Sequence, residues 1–195
     1  MKKVLILEGS PRRNGNSAIL SKEFARGAEE AGCSVETVCV AAKKIAGCLG
    51  CNACYRNGGT CVQKDDMAEI REKMLAVDAI VLASPIYFYS MTAQMKALID
   101  RTYAFFQQLD GKTFYFIITC AAPDKAFTET MLASLRGFTC CVPNAKEGRR
   151  RGVWHRRNGS RRNLPVNSHG GSLQDGQRRL IEGDYNRIMV FCKCQ

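Results

Sequence analysis

The sequence GSPRRNGNS, residues 9–17, lies between a short apolar run and a helical pattern that begins near Ala18. The apolar run, residues 4–7, does not alternate with polar residues and therefore predicts a strand buried on both faces. The stretch thus joins a predicted strand to a predicted helix. The start of a helix offers backbone N–H groups and the positive end of the helix dipole, which together suit an anion. A phosphate monoester is the expected ligand.

The same stretch contains side chains that can strengthen phosphate binding. Serine and asparagine provide neutral donors, arginine provides charge, and Gly9 and Gly15 allow a tight turn and a close approach of the backbone. The stretch lacks the G-x-G-x-x-G of dinucleotide sites and the G-K-S/T of nucleoside triphosphatases. An ordinary strand–helix turn with a polar cap is the alternative. The predicted phosphate ligands are Ser10, Arg12, Asn14, Gly15, Asn16 and Ser17.

A second loop, SPIYFYS at residues 84–90, follows another buried run at residues 79–83. It places three aromatic side chains just past the predicted end of a strand. Such a loop beside a phosphate site suits a flat aromatic ligand, which it can hold by stacking and by backbone hydrogen bonds. The alternative is that these aromatic residues cover the core. Residues 119–122, TCAA, follow a further predicted strand and form a third candidate wall.

Strand and helix patterns alternate along the first 148 residues. Strands are predicted at residues 4–7, 34–40, 79–83 and 113–119, and helices at residues 17–31, 67–75, 95–105 and 124–137. This alternation predicts an α/β domain with a parallel sheet. In such sheets ligands bind beyond the carboxyl ends of the strands, where the strand order reverses. All three loops described above are expected at that edge.

Four of the eleven cysteines lie in one glycine-containing segment, residues 47–61. They are separated by two, two and six residues, and four thiolates in so compact a loop can hold a [4Fe–4S] cluster or a Zn²⁺ ion. The short successive gaps favour the cluster over a zinc ribbon. Free thiols packed as small apolar residues, or a redox-active thiol pair, are the alternatives. The predicted metal ligands are Cys48, Cys51, Cys54 and Cys61.

The end of the chain differs in composition from the rest. Residues 149–195 contain ten arginines and one lysine against three acidic residues, a net charge of +8, whereas the first 148 residues carry +3. We therefore predict one domain over residues 1–148 and a basic, poorly specified tail over 149–195. Within the tail, the apolar residues at 152–154 and 188–191 are the candidates for a fifth strand. A shifted reading frame and a divergent end are two hypotheses for its origin.

Composition also limits the classes of function. No apolar run approaches the roughly 20 residues of a membrane span, and the first run is too short for an export signal; a cytoplasmic protein is therefore expected. Both histidines, His155 and His169, lie in the tail, and no Ser-His-Asp or Cys-His set is evident. A cofactor is thus predicted to carry the chemistry. Paired arginines can neutralise nucleic-acid phosphates, but a solvated tail is favoured because no aromatic residues or recognition module accompany them.

The loops at residues 9–17 and 84–90, with the helical sequence MKALIDR at 95–101, resemble the NAD(P)H-dependent FMN reductase family of flavodoxin-like proteins. The cysteine spacing resembles the iron–sulfur flavoproteins, a branch of that family in which the cluster accepts electrons from FMN. The resemblance covers about residues 1–145. It implies a doubly wound parallel sheet in three layers, with a cysteine-rich insertion after the second strand. It also implies that the flavin site includes Pro85, Ile86, Tyr87, Phe88 and Ser90, the first four bordering the isoalloxazine ring. Thr119, from the third candidate wall, completes the predicted flavin site.

The resemblance further implies an FMN-dependent oxidoreductase. Hydride would pass from NAD(P)H to flavin N5, and electrons would go on to a quinone, free flavin or the chain's own [4Fe–4S] cluster, with no side chain acting as acid or base. The alternative is an FMN and iron–sulfur electron carrier that does not oxidise NAD(P)H. A homo-oligomer and a redox partner protein are further expectations, and nucleic-acid binding through the tail is disfavoured.

Overall fold

The computed structural model describes residues 1–121 and 126–148, together with the backbone of 152–155 and 187–191. Its strands are β1 (Lys3–Glu8), β2 (Ser34–Cys39), β3 (Ala79–Pro85), β4 (Thr113–Thr119), β5 (Lys146–Glu147), β6 (Gly152–His155) and β7 (Arg187–Phe191). Its helices are α1 (Asn16–Glu30), α2 (Ala53–Arg56), α3 (Met67–Leu75), α4 (Ala93–Arg101) and α5 (Ala126–Cys140), with 3-10 turns at Val40–Ala42, Thr102–Ala104 and Phe106–Leu109.

The sheet has the strand order β2-β1-β3-β4-β7-β6. The pairs β2–β1, β1–β3 and β3–β4 are parallel, and the short β5 also pairs in parallel with β4. Strand order reverses between β1 and β3, because β2 was added on one side of β1 and β3 and β4 on the other. The loops that follow β1, β3 and β4 therefore open at one edge of the sheet, as predicted for a ligand site.

Two apolar faces give the domain its three layers. Side chains alternate along each strand, so Leu5 and Leu7 of β1 face α3, α4 and α5, while Val4 and Ile6 face α1. Phe116 of β4 joins the first face. Helix α1 packs across β1, β2, β3 and β4 on the other. The helices of the described residues include none long and apolar enough to cross a membrane.

The predicted fold class is confirmed, and most predicted boundaries lie within a few residues of the observed ones. Strand β4 has the predicted bounds, and the cysteine segment lies between β2 and α3. Helix α4 is shorter than its apolar pattern, because the chain continues from Thr102 as 3-10 turns. The two apolar stretches of the tail are strands β6 and β7, but both of their pairings are antiparallel. The rest of the predicted tail lies outside the described residues, and the domain division remains a prediction.

Gly9 sits where β1 ends and the sheet meets α4. Its N–H donates to the carbonyl of Ala83 at 2.8 Å, and its own carbonyl accepts from Thr92 Oγ1 at 2.8 Å. Thr92 in turn caps α4, because its Oγ1 accepts from the Met95 N–H at 3.3 Å. A Cβ at residue 9 would lie 2.8 Å from both Met95 Cβ and Thr92 Oγ1, which only glycine avoids.

Replacing Gly9 with alanine should therefore lower the free energy of unfolding by about 1–3 kcal/mol, the usual cost of overfilling a packed interior. Gly27→Ala is the matched control, because an added Cβ within α1 meets no atom within 4 Å. That substitution should raise stability by roughly 0.5–1 kcal/mol through the better helix propensity of alanine. Urea unfolding of both variants measures the difference, and equal effects at the two positions would contradict the close packing assigned to Gly9.

Candidate functional site

The loop after β1 delivers the start of α1 to the carboxyl edge of the sheet. The N-cap residue of α1 is Gly15, which has no side chain to cap the first turn. The loop is folded tightly by bonds from the Gly15 N–H to the Arg12 carbonyl, at 3.0 Å, and from the Arg12 N–H to Ser10 Oγ, at 3.2 Å. Ser10 and Ser17 are 6% and 2% exposed. The helix start is thus held as a rigid concave surface with polar groups, which fits an anion better than it fits a self-capped turn.

The three loops are joined to one another at this edge. Ser17 Oγ of α1 and Thr119 Oγ1 at the end of β4 are 2.9 Å apart and share a hydrogen bond. The N–H of Ile86, after β3, donates to the Thr119 carbonyl at 2.8 Å. Segments far apart in sequence therefore form one continuous wall.

A cavity of about 550 Å³ opens between these loops. It contains every predicted phosphate ligand, the predicted flavin-wall residues other than Phe88 and Ser90, and two neighbours from the third loop. Its lining residues are Ser10, Arg12, Asn14, Gly15, Asn16, Ser17, Pro85, Ile86, Tyr87, Thr119, Cys120 and Ala121.

The aromatic loop after β3 folds as a tight hairpin turn. Phe88 and Ser90, which do not line the first cavity, belong to this turn. The N–H groups and carbonyls of Tyr87 and Ser90 bond to each other at 2.8 and 3.1 Å. The two central residues, Phe88 and Tyr89, have φ values of 47° and 64°. Residues other than glycine seldom adopt this region. This turn leaves Phe88 99% exposed. Tyr89 lies against Phe127, with ring centroids 5.6 Å apart and nearly parallel planes.

The cavity fits a flavin mononucleotide in size and in chemistry. Its volume lies in the usual range for cofactor sites. One end has hydroxyl groups, a guanidinium and a helix start, whereas the other has Pro85, Ile86 and Tyr87. A Cβ at Gly15 would meet Arg12 Cβ at 3.1 Å and the Arg12 carbonyl at 3.2 Å, so the glycine keeps the end of the cavity beside α1 compact.

The four predicted metal ligands lie on one segment but not around one point. Cys48 and Cys51 are exposed, and Cys54 and Cys61 are half-buried. Across residues 1–121 and 126–148, no three histidine, cysteine, aspartate or glutamate side chains come close enough together to hold a metal ion. Four thiols are chemically suited to ligate an iron–sulfur cluster. The described positions of their sulfur atoms, however, do not match such a cluster.

A second cavity, of about 640 Å³, lies beside the cysteine segment. Its walls include Cys48, Cys141 and the aromatic side chains of Tyr103, Phe106 and Phe138. It has no lining residue in common with the first cavity. The cysteine segment thus borders a concave aromatic surface of its own.

A buried ion pair that no sequence motif indicated lies at the base of the cysteine segment. Arg101, at the end of α4, is 3% exposed and binds both oxygens of Asp65, at 2.6 and 3.0 Å. Burial alone would raise the pKa of Asp65, but hydrogen bonds from Arg101 and from the N–H groups of Ala46 and Met67 lower it below its ordinary value. The available signal was a charged residue on the apolar face of a helix, three residues after the buried Leu98.

Comparison with known proteins gives the family. The family model described as NADPH-dependent FMN reductase matches residues 2–142. The chain belongs to that family. Flavin oxidoreduction is the family's chemistry and FMN its flavin, and the first cavity is where the described residues fit such a cofactor.

The chain is also similar to curated iron–sulfur flavoproteins. One from Archaeoglobus fulgidus is 46% identical over 101 residues, which cover 52% of this chain and 45% of that protein. One from Methanocaldococcus jannaschii is 41% identical over 100 residues, which cover 51% of each. The chain therefore spans about half the length of the curated relatives it matches.

Solved structures share the fold at low identity. An NAD(P)H:quinone oxidoreductase from Methanothermobacter marburgensis has a TM-score of 0.60 and 17% identity, over 74% of this chain and 80% of that one. An FMN-dependent NADH-azoreductase from Bacillus anthracis, in complex with FMN, has a TM-score of 0.57 and 14% identity, over 74% and 83%. These similarities establish a flavodoxin-like fold.

Replacing Asp65 with asparagine should lower the free energy of unfolding at neutral pH by about 3–5 kcal/mol, because it leaves a buried guanidinium without its counter-charge. Part of the pH dependence of stability should disappear as well. Since the pKa of Asp65 is lower in the folded chain, its contribution is complete above the unfolded value of about 3.9 and is lost as the pH falls through the folded value. Urea unfolding from neutral to acidic pH measures both effects.

Asp100→Asn is the control for that variant. It removes the ion pair between Lys96 and Asp100, whose side chains are 54% and 42% exposed. An exposed pair contributes at most about 1 kcal/mol. Equal losses of stability in the two variants, or an unchanged pH dependence in Asp65→Asn, would refute the role given to the buried pair.

Proposed function

We propose that this chain is an FMN-dependent oxidoreductase that takes hydride from NAD(P)H and passes electrons to an acceptor such as a quinone, free flavin or a cluster held by its own cysteines. The observation that carries the proposal is the first cavity, in which a helix start and buried hydroxyl groups meet an apolar wall at the carboxyl edge of a parallel sheet. Family membership supports it.

In this proposal the residues of the cavity bind and orient the cofactor. Ser10, Ser17 and the backbone at the start of α1 hold the phosphate, with Arg12 at the rim. Pro85, Ile86 and Tyr87 lie along one side of the flavin ring, and Thr119 fixes the loop that carries them. Bound FMN would supply the redox chemistry, receiving hydride at N5. No side chain needs to donate or accept a proton, and the chain's task is to position the ring and limit its contact with water.

We further propose that Cys48, Cys51, Cys54 and Cys61 ligate a [4Fe–4S] cluster. Their spacing supports this, as does the naming of the curated relatives. Because the described sulfur atoms do not converge, ligation requires the cysteine segment to change its conformation. Gly50, which has a φ of 63° and no atom within 4 Å of an added Cβ, is a position in the segment where the backbone has wide conformational freedom.

We also propose that the protein is cytoplasmic. A cytoplasmic location is supported by the nine described cysteines, which form no disulfide bond with one another, since reducing compartments disfavour disulfides. A homo-oligomer and a redox partner protein remain predictions from the family resemblance. The alternative function is an electron carrier that does not oxidise NAD(P)H.

The flavin-loaded protein should lose its visible flavin absorbance when mixed anaerobically with NADPH or NADH, because hydride transfer reduces the flavin. Stopped-flow absorbance measures the rate with each nucleotide. Absorbance that persists with both nucleotides but falls with dithionite would identify an electron carrier instead. Loss with one nucleotide alone would assign the preferred donor.

Ser17→Ala should weaken FMN binding by about 1–3 kcal/mol, the scale of one unmade hydrogen bond to a charged group. Ser21→Ala is the matched control: it lies one turn further along α1, and its buried hydroxyl has no hydrogen-bond partner among the described residues. Fluorescence titration of the metal-free protein with FMN gives both affinities. Equal affinities in the two variants, or FAD as the flavin released from the purified protein, would contradict an FMN-phosphate site at this helix start.

Anaerobic reconstitution should yield about four iron and four sulfide per chain, as a [4Fe–4S] cluster requires. Serine at any of the four segment cysteines should reduce that content, whereas Cys33→Ser, outside the segment, should not. Iron and sulfide assays with visible spectra provide the measurement. Stoichiometric zinc, or iron that survives replacement of all four cysteines, would rule out this ligand set.

A further inference from the structure

The second cavity, beside the cysteine segment, is lined by aromatic side chains from two separate elements. Tyr103 and Phe106 come from the 3-10 turns after α4, and their rings are nearly parallel, with planes 24° and centroids 6.2 Å apart. Phe138 comes from α5, and its ring meets the fully buried ring of Phe114 edge to face, with centroids 5.7 Å apart. The core thus holds Phe138 in place, and the cavity offers aromatic surface that is already ordered.

The charged groups of this cavity neutralise each other. Its described lining includes one lysine and one aspartate, Lys96 and Asp100, whose Nζ lies 2.6 and 2.8 Å from the two carboxylate oxygens. The buried Thr102 hydroxyl also has a partner, because it donates to the Ile99 carbonyl at 2.6 Å. The cavity therefore has no surplus charge to offer a ligand, and a neutral ligand fits it better than an ionic one.

Size and wall chemistry narrow the ligand further. The volume of about 640 Å³ lies in the usual range for small-molecule sites, which are mostly apolar with a few polar groups. Aromatic walls favour a flat ring, which can stack on them or meet them edge to face. Met91, which is 5% exposed, adds a thioether that adapts to the outline of such a ring. The first cavity differs, because its helix start and Arg12 suit an anion.

We propose that the second cavity is a binding site for a neutral, flat ring compound of the quinone class. The choice of a quinone rests on the proposed function, to which the inference adds a place for the acceptor apart from the flavin cavity. The acceptor would take two electrons from NAD(P)H, one proton from NAD(P)H and one from solvent, and would leave as the quinol. Cys48 and Gly50 also line the cavity, so the bound ring would lie against the cysteine segment.

The test is equilibrium dialysis of 2,3-dimethyl-1,4-naphthoquinone against the full-length chain saturated with FMN, without a reductant. Methyl groups at both reactive ring positions keep this quinone from adding to Cys48 or Cys141. We expect saturable binding. Tyr103→Ala should weaken it by roughly tenfold, through loss of stacking and of apolar contact. The Tyr103 side chain is 52% exposed, so its removal leaves the core intact.

Two matched controls locate the bound quinone. Tyr87 is similarly exposed, at 43%, but lines the first cavity, so Tyr87→Ala should bind the quinone as the wild type does. Ser134 lines the second cavity from α5, and Ser134→Phe should fill the space and abolish binding. Ala133→Phe adds the same ring at the neighbouring exposed position, which does not line the cavity, and should leave the affinity unchanged.

Each outcome decides the proposal. It is overturned by a wild type that does not bind the quinone, as it would be if a second copy of the chain covered the cavity. An unchanged affinity in Tyr103→Ala also overturns it, and an equal loss in Tyr87→Ala would place the quinone in the flavin cavity instead. If circular dichroism shows Ser134→Phe to be unfolded, the two tyrosine variants decide.

Failure of the proposed function would look different. A flavin that neither nicotinamide nucleotide reduces, or a chain that binds no FMN, ends that proposal. The dialysis can still be read in both cases, because the two cavities have no lining residue in common.

Discussion

The parallel pairing of β1, β3 and β4 is the constraint on which the candidate site depends. Parallel neighbours end at the same edge of a sheet, and the register sets Glu8 beside Ala83 and Pro85 beside Thr119. Three loops that are far apart in sequence are thereby brought to one edge. The hydrogen bond between Ser17 and Thr119 joins two of them, and the bond from the Ile86 N–H to the Thr119 carbonyl joins the third. Gly9 allows this meeting, because any larger residue would separate β1 from α4.

Much of this could be predicted from local sequence, because the signals are local. A buried run followed by a turn and a helix pattern predicts both a strand end and a ligand loop, so the sequence alone predicts one site for residues 9–17 and Pro85–Tyr87. The exposure of Phe88 could not be predicted, because it depends on a turn with two positive φ values. Nothing in the sequence SPIYFYS specifies that turn.

Other features could not be predicted from local sequence patterns, because they depend on how distant parts of the chain meet. The pairing of Arg101 with Asp65 joins residues 36 positions apart, and only their packing shows that they meet. Apolar residues at 188–191 indicated a strand, but the direction in which a strand joins a sheet is set by the path of the chain and not by its composition. Cysteine spacing likewise gives the donors of a cluster without giving the separations of their sulfur atoms.

The bond between Ser17 and Thr119 has a consequence for the lifetime of the folded chain. It links Ser17 of α1 to Thr119, the last residue of β4, which lies 102 positions later in the sequence. A phosphate bound there would contact both elements at once, so FMN would act as a non-covalent crosslink between the beginning and the middle of the domain. Binding to the folded state alone adds stability that grows with the logarithm of free ligand concentration, about 2.7 kcal/mol at a hundredfold excess over the dissociation constant. The melting temperature would then rise with the concentration of free flavin, and the flavin-free chain would unfold, and be degraded, more readily than the flavin-bound chain.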